Sequence, residues 1–272
     1  MKGRLYLIGT PIGNLRDITY RAVEVLNSVG SVFCEDTRVS LKLLKYYNIK
    51  KPLFSFNSHN FLKQSELVLN RLEHESVGLI TDAGMPGISD PGSFLVDLVR
   101  KNNYEIIVIP GPSSLTASIA LSGFKPNLWL FPGFFPKDNS KRKEIINAYV
   151  YSGGHLIFFE SAKRLFDTLL WIRNNFKFNP RVCVFKEITK IYEEVICFEL
   201  SLIEEKLESS NIKGEIVVAL ESAGTFVDKE EESYQLALEL IKLGIEPSRV
   251  VRLLSKYLGV NKNCLYKKLL PN

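Results

Sequence analysis

The sequence has few of the residues that metal centres and disulfide frameworks require. Its 272 residues include only four cysteines and three histidines. The cysteines, Cys34, Cys183, Cys197 and Cys264, are widely separated and form no C-x-x-C pair, which argues against a zinc site. We therefore expect no metal, and we expect the four cysteines to be buried thiols in a reducing compartment.

Long apolar runs are also missing. No apolar stretch reaches the roughly 18 residues that a membrane-spanning helix needs. At the amino terminus, Lys2 and Arg4 are followed by only a short apolar run before Gly9, which does not fit a cleavable secretion signal. We therefore expect a cytoplasmic protein with no membrane partner.

Two nucleotide-binding signatures and a common catalytic group are absent as well. There is no P-loop lysine motif, so ATP use is not indicated, and no G-x-G-x-x-G follows the first predicted strand. No Ser/His/Asp arrangement is evident. His59, in a predicted loop, is the one histidine that we consider a functional candidate.

The positive charge is modest in total but clustered. The net charge is +5, yet residues 249–272 contain six Lys or Arg and no Asp or Glu. The segment "KDNSKRK" at 137–143 has four basic residues against one acid. Such clusters suit a polyanion. Ordinary solvated lysines are an equally good explanation.

Strand and helix signals alternate along the first part of the chain, which predicts an N-terminal α/β domain at 1–120. The predicted strands are 5–8, 31–34, 77–81 and 105–109, with amphipathic helices between them. In residues 19–30, for example, apolar residues recur at i, i+3, i+4 and i+7 before a closing glycine. This alternation predicts a mostly parallel sheet covered by helices.

A Pro-, Gly- and aromatic-rich segment at 122–143 leads into a second predicted α/β domain, at 121–222. Its predicted strands are 156–159, 181–185, 194–198 and 215–220, and its predicted helices are 140–151 and 161–175. The short spacing between 181–185 and 194–198 predicts a hairpin, and therefore a mixed sheet.

Beyond a polar link at 221–233, residues 229–272 predict a basic module of three short helices, two of which end in glycine C-caps. A basic last helix in such a module resembles a helix-turn-helix. A helical cap or a dimerisation tail explains the pattern almost as well.

Four loops follow the predicted strands of the first half, where open α/β sheets bind ligands. They are "TPIGNL", "CEDTR", "TDAGMPGISDPG" and "IPGPSS". The third has three glycines, two prolines and two aspartates in twelve residues, so its backbone suits an amino-acid-like or nucleoside ligand. The alternatives are a double turn capped by Asp82 and Asp90, and helix capping by Ser113 and Ser114.

Seven segments, taken in order, resemble the tetrapyrrole methylase superfamily. They are "TPIGNLRDITYRA", "EDTR", "TDAGMPGISDPG", "IPGPSS", "FFESAKRL", "KEITK" and "GEIVV", spread over about 215 residues. They most closely resemble the branch that methylates the ribose 2′-oxygen of a cytidine in small-subunit (16S) ribosomal RNA. The basic tail is similar too, and Met85, where a small polar residue is expected, is the visible departure.

The resemblance implies an α/β fold: two domains of the tetrapyrrole methylase type with a cofactor cleft between them, plus a small C-terminal helical module. It implies S-adenosylmethionine as cofactor, a homodimer, and 16S ribosomal RNA or the small ribosomal subunit as partner. Carried over by position, the cofactor-binding residues are Pro11, Asp82, Ala83, Gly84, Gly87, Ile88, Ser113, Ser114 and Glu160. The neighbourhood of Gly214 would close the site.

Methyl transfer to a ribose hydroxyl requires that the hydroxyl lose its proton, and a general base typically contributes ~10²–10⁴-fold. We favour Glu35 and Glu187, and we consider Lys190, which needs a lowered pKa to serve as a base. The alternative is that the two carboxylates hold Arg38 and Lys190 in place.

The predicted RNA-binding residues are the basic side chains near these loops and clusters. They are Arg38, Lys137, Lys141, Arg142, Lys143, Lys262, Lys267 and Lys268. Tyr46, Tyr47, Phe134 or Phe135 would stack on an extruded base, and a place in the core is the better explanation for the two tyrosines. Two other functions remain open: methylation of a tetrapyrrole or another small molecule by the same fold, and RNA binding or assembly without catalysis. The basic tail and "EDTR" favour an RNA substrate over a small molecule.

Overall fold

Every strand predicted in the first half forms, and these strands share one parallel sheet. The computed structural model describes residues 2–208, 214–222 and 229–269. The strands are β1 (Arg4–Ile8), β2 (Ser31–Cys34), β3 (Leu53–Ser55), β4 (Val77–Leu79) and β5 (Glu105–Ile109). They lie in the order β3-β2-β4-β1-β5, and every pair is parallel. The predicted parallel α/β architecture is therefore confirmed.

Helices cover both faces of this sheet. They are α1 (Tyr20–Ser28), α2 (Thr37–Tyr46), α3 (Phe61–Leu72), α4 (Gly92–Lys101) and α5 (Ser114–Ser122). Alternate strand residues point to opposite faces, so Val32 joins one buried cluster with α1, while Phe33 joins another with α3 and α4. Two of these helices begin at a side-chain cap: Thr19 accepts from the Ala22 N–H at 3.1 Å before α1, and Asp36 accepts from the Arg38 N–H at 2.8 Å before α2.

The second half forms the mixed sheet that the spacing predicted. Its strands are β6 (Trp129–Leu130), β7 (His155–Ser161), β8 (Arg181–Lys186), β9 (Glu194–Glu199) and β10 (Glu215–Leu220), and its helices are α6 (Asn139–Ser152) and α7 (Ala162–Asn175). The order is β6-β7-β10-β8-β9; β6 and β7 are parallel, and the other pairs are antiparallel. The β8–β9 hairpin is thus confirmed.

Helix α5 joins the two halves. Its apolar residues Leu115, Ala117 and Ile119 pack on a buried cluster that includes Phe185 and Val217 of the second sheet. The predicted domain boundary at residue 120 falls inside this helix. The carboxyl ends of the first sheet's strands consequently face the second sheet across a short gap.

The prediction of four buried thiols is wrong. Strands β8 and β9 place Cys183 opposite Cys197, and the two form a disulfide. Cys183 is buried but Cys197 is exposed, and Cys264 is only half-buried. Cys34 alone is a buried thiol, as predicted. The pairing depends on the hairpin register, which cysteine spacing does not reveal.

The last three helices form a module with its own apolar cluster. They are α8 (Lys229–Lys242), α9 (Pro247–Leu258) and α10 (Lys262–Leu269). Gly244 and Gly259 follow α8 and α9 with φ of +84° and +69°, which confirms the two glycine C-caps. Residues 223–228 of the predicted polar link lie outside the described residues. Among the helices described, none is long and apolar enough to cross a membrane.

Candidate functional site

A cleft of about 380 Å³ lies between the carboxyl ends of the first sheet's strands and one face of the second sheet. The first half lines it with Ile12, Glu35, Thr81, Asp82, Ala83, Gly84, Met85, Ile88, Ser89, Asp90, Ser113, Ser114 and Leu115. The second half adds Phe134, Phe159, Glu160, Phe185, Ile188, Glu215, Ile216 and Val217. Its size is that of a small-molecule site, roughly 300–1,000 Å³.

The loop after β4 is held in a defined shape. Thr10 and Gly84 exchange backbone hydrogen bonds of 2.9 and 3.1 Å, which tie this loop to the one after β1. Asp90 accepts from the N–H groups of Gly87 and Gly92, at 2.9 and 2.7 Å. Asp90 therefore has the capping role that the sequence allowed, and Gly87 shapes the loop from behind the lining. The fixed loop presents Asp82 to the cleft.

The cleft is acidic. Its lining includes five carboxylates, those of Glu35, Asp82, Asp90, Glu160 and Glu215, and none of its lining residues is Lys, Arg or His. Burial, followed by repulsion from Asp82, raises the pKa of Glu35. Burial also raises the pKa values of Asp82 and Asp90. Crowded, partly dehydrated carboxylates favour a positively charged ligand.

The start of α5 offers the opposite charge. Ser113 is the N-cap residue of this helix, but its side chain makes no capping hydrogen bond. The alternative raised by the sequence, that the Ser113 hydroxyl caps the helix, is therefore not what the structure shows. Ser113 and Ser114 both line the cleft. The first N–H groups of a helix have no partner within it, and the helix dipole is positive at that end. This edge of the cleft therefore favours an anionic group.

Glu160 is a buried wall of the cleft, and both of its carboxylate oxygens have partners. Its Oε1 accepts from the Ser161 N–H at 2.8 Å, and its Oε2 accepts from the Thr168 hydroxyl at 2.7 Å. Arg164 Nη2 lies 3.2 Å from Oε2. A carboxylate held in this way contributes mainly shape and charge to the cleft.

Glu187 and Lys190 lie beside the cleft rather than in its lining. Glu187 Oε1 accepts from Lys190 Nζ at 2.9 Å and from the Glu215 N–H at 2.8 Å. Partial burial by itself would raise the pKa of Glu187, but these two donors outweigh it and lower the pKa. Burial by itself would lower the pKa of Lys190, but the carboxylates of Glu187 and Glu215 outweigh it and raise the pKa. These carboxylates favour the protonated form of Lys190, the opposite of the lowered pKa that a base at this position needs.

The turn that carries this pair is strained and packs against the first half. Glu187 and Thr189 have φ of +51° and +66°, a region that non-glycine residues rarely adopt. The Thr189 hydroxyl oxygen accepts from the Asn14 N–H at 3.1 Å. A Cβ on Gly13 would lie 2.7 Å from that same oxygen, so the close contact requires glycine there. Such strain persists only where the surroundings enforce it.

Two predicted RNA contacts are turned inward. The Arg142 guanidinium donates from Nε to the Pro136 carbonyl at 2.8 Å and lies 5.2 Å above the Trp171 ring. Phe135 is 1% exposed. Phe135 is not available to a nucleic acid because it is buried beneath the start of α6, whereas Arg142 is half-buried and held by these contacts within the chain. Phe134, in contrast, is 62% exposed and lines the cleft.

The remaining basic candidates are on the surface. Arg38 is exposed and pairs with Asp36 at 2.6 Å. The side chains at the start of α6 and on α10 are also exposed: Lys137, Lys141, Lys143, Lys262, Lys267 and Lys268. Pro11 is buried directly behind the lining. His59 is exposed in a turn and lies outside the cleft lining.

Glu215, Ser89, Phe159 and Ile188 line the cleft but were not among the predicted site residues. The signal for Glu215 was present in the sequence, because it follows Gly214 at the start of the "GEIVV" strand. A residue at a strand end beside a glycine of positive φ, here +94°, is well placed to face a ligand.

Comparisons with known proteins agree with this architecture. Residues 4–203 match the family described as Tetrapyrrole (Corrin/Porphyrin) Methylases. The chain is 41% identical to ribosomal RNA small subunit methyltransferase I of Rickettsia prowazekii over 81% of its length and 79% of that protein. It is 33% identical to the protein of the same name from Pasteurella multocida, over 98% and 96% of the two chains.

Solved structures at low identity support the fold. A diphthine synthase superposes with a TM-score of 0.64 at 15% identity and covers 80% of this chain and 90% of its own. A uroporphyrin III C-methyl transferase from Thermus thermophilus gives a TM-score of 0.58 at 16% identity, over 81% and 98% of the chains.

Proposed function

Because this chain belongs to the tetrapyrrole methylase family, we infer that it is a methyltransferase that acts on the RNA of the small ribosomal subunit. The observation that carries this inference is the 33% identity over 98% of the chain to a relative with that name. The match extends through the C-terminal helical module, so it is not confined to the fold that small-molecule methylases share.

We propose S-adenosylmethionine as the cofactor, and the charges of the cleft fit it. This molecule carries a positive sulfonium, a positive ammonium and a negative carboxylate. Asp82 suits a positive group, and the start of α5 with Ser113 and Ser114 suits the carboxylate. Ala83, Gly84 and Ile88 form more of the cleft wall. Pro11 and Gly87 lie outside the lining and shape the loops that carry it.

For the reaction, we propose transfer to the 2′-oxygen of a cytidine ribose with Glu35 as the general base. Bound S-adenosylmethionine supplies a methyl group already activated by its sulfonium. Glu35 lies in the cleft lining, and burial and Asp82 raise its pKa, which makes it a stronger base. Its carboxylate would orient the hydroxyl and take its proton. Much of the acceleration then comes from positioning.

Glu187 and Lys190 have a positioning role in this proposal. Their ion pair holds the strained turn that carries Ile188 into the cleft wall, and Lys190 also reaches the carboxylate of Glu215 at 3.3 Å. We further propose a homodimer, as in the branch that the sequence resembles. The lysines of α6 and α10 would contact RNA phosphates, with Phe134 stacking on a base.

The function is tested by incubating the purified chain with labelled S-adenosylmethionine and small ribosomal subunits from a strain that lacks this enzyme. Mass mapping of the ribosomal RNA should reveal one new methylated nucleotide, on its ribose. A matched reaction with subunits from the parent strain should incorporate no label. Incorporation into tetrapyrroles but not RNA would establish the small-molecule alternative, and failure to bind S-adenosylmethionine would favour a protein without catalysis.

A further inference from the structure

A second basic surface lies beside the cleft, on α2 and the chain that follows it. Residues 37–65 contain six Lys or Arg and no Asp or Glu. They are Arg38, Lys42, Lys45, Lys50, Lys51 and Lys63. Only Arg38 is among the RNA-binding residues predicted above. This run is as free of acids as the C-terminal tail, but it belongs to the first α/β half.

The helix directs three of these charges straight outward. Arg38, Lys42 and Lys45 are spaced four and three residues apart, so they lie on one face of α2. The opposite face is buried and includes Leu43 and Leu44. Lys42 and Lys45 have no ion pair with any other described residue, whereas Lys101 on α4 pairs with Asp97 at 2.7 Å. The charges of Lys42 and Lys45 are therefore uncompensated among the described residues, whereas Arg38 pairs with Asp36.

Both ends of α2 touch the loops that form the cleft. At its start, the Asp36 N–H donates to Asp82 Oδ1 at 3.0 Å, and Asp82 lines the cleft. At its end, the Tyr47 hydroxyl donates to the Leu15 carbonyl at 2.6 Å, in the loop after β1 that also carries Ile12. Tyr46 is 55% exposed at the same end. The basic face therefore points to solvent from a helix whose two ends contact the loops of the cleft.

An RNA substrate needs positive charge outside the acidic cleft, and this surface supplies it. A phosphate backbone is repelled by the carboxylates of the lining, so the RNA must be held by positive charge outside the cleft while one ribose enters. We propose that Arg38, Lys42, Lys45 and Tyr46, here called the α2 surface, bind the backbone of the RNA substrate. This proposal rests on the proposed function and specifies where the protein binds its RNA substrate.

The test is the double charge reversal K42E/K45E in the full chain. Its matched control is R100E/K177E, which changes the net charge by the same amount. Arg100 and Lys177 are exposed near the ends of α4 and α7, helices that begin at the cleft and run away from it. Filter binding of a small-subunit ribosomal RNA transcript is measured over a range of KCl, and S-adenosylmethionine binding is measured by calorimetry.

We expect K42E/K45E to bind the transcript at least about tenfold more weakly at ~0.1 M salt, with a salt slope smaller by about 1.4–2, because two phosphate contacts are lost. The control should change binding less than about twofold. S-adenosylmethionine affinity should be the same in all three proteins. Should K42E/K45E fail to fold, the neutral K42Q/K45Q variant gives the same comparison with a smaller effect.

Equal losses in K42E/K45E and its control would overturn the α2 surface, since they would reflect net charge alone. An unchanged salt slope would overturn it as well. The proposed function is judged separately, by whether the unmodified chain methylates small ribosomal subunits. If the unmodified chain methylates RNA and the two double variants bind the transcript equally well, the proposed function stands and only the α2 surface is disproved.

Discussion

Replacing Glu187 by Gln tests whether this residue stabilises the fold through its ion pair or acts as a general base. Gln keeps an oxygen for the Glu215 N–H, which now lies 2.8 Å from Glu187 Oε1. It removes the negative charge that pairs with Lys190 at 2.9 Å. The strained backbone at residue 187 is unchanged, because both side chains face the same penalty at positive φ. The substitution therefore isolates the charge.

The expected cost follows from the burial of the pair. The side chains of Glu187 and Lys190 are 19% and 28% exposed, so the pair is only partly hydrated. A hydrogen bond to a charged group contributes ~1.5–3 kcal/mol. Lys190 keeps Glu215 at 3.3 Å, but that carboxylate is 71% exposed and compensates little. We expect the free energy of unfolding to fall by about 1–2 kcal/mol at pH 7.

The effect depends on pH with a definite sign. The folded-state pKa of Glu187 lies below its ordinary value of 4.5. Its carboxylate therefore stabilises the fold fully above about pH 4.5, and this contribution is lost as the pH falls through the lowered folded value. The difference between wild type and E187Q should be constant from pH 6 to 8 and shrink below about pH 4.5.

Urea unfolding at pH 7 and pH 4, together with steady-state methylation, separates the two roles. E194Q is the control, because Glu194 pairs with Lys186 on the same hairpin but is 51% exposed, and it should cost under about 0.5 kcal/mol. Unfolding free energies that are equal in wild type and E187Q at pH 7 would refute the stabilising role of the ion pair. Turnover reduced far more than cofactor affinity, at unchanged stability, would make Glu187 catalytic, and equal losses of turnover and affinity would exclude that role.

Three further perturbations test other parts of the structure. Asp82→Asn should weaken S-adenosylmethionine binding about tenfold by calorimetry. Wild-type affinity should fall as the pH drops through the raised pKa of Asp82, and the variant should lose that part of the pH dependence. The same variant without ligand should melt higher at pH 7, since a dehydrated carboxylate is removed; a lower melting temperature would contradict this. Gly13→Ala should destabilise the fold by about 1–3 kcal/mol in urea, because its Cβ meets the Thr189 hydroxyl, and an unchanged midpoint would show that the turn yields. Reducing the Cys183–Cys197 disulfide, which closes a separation of 14 residues, should cost about 3 kcal/mol, and a C183S/C197S variant should then be insensitive to reductant.

Each strand that the sequence predicted was marked by a clear apolar run over four or more residues of the sequence. Two strands were missed. Leu53–Ser55 has three residues, all half-buried, and Trp129–Leu130 has two. Segments this short contain no full period of alternation, and they become strands only because β2 and β7 offer them an edge to pair with. The predicted strand 77–81 ended early, at Leu79, where the chain turns into the cleft loop.

Turn chemistry identified the cleft before the fold was known. Glycines, prolines and aspartates directly after apolar strands marked the loops at 10–15, 34–38, 81–92 and 109–114, because parallel strands bring their carboxyl ends to one edge. Which second-half residues face them depends on how α5 docks on the other sheet. Glu215 and Phe159 are more than 100 residues from Glu35, and no local pattern reports their proximity.

Periodicity and turn residues are local properties, and they determined the alternating strands, the parallel first sheet, the hairpin and the loops that line the cleft. Pairing and burial across distant segments depend on packing. The hairpin register joined Cys183 to Cys197, and the core beneath α6 enclosed Phe135 while Arg142 bonded to the Pro136 carbonyl. Side chains that are remote along the chain became an acidic cleft because separate loops meet there, and their charges interact only once folding has removed the water between them.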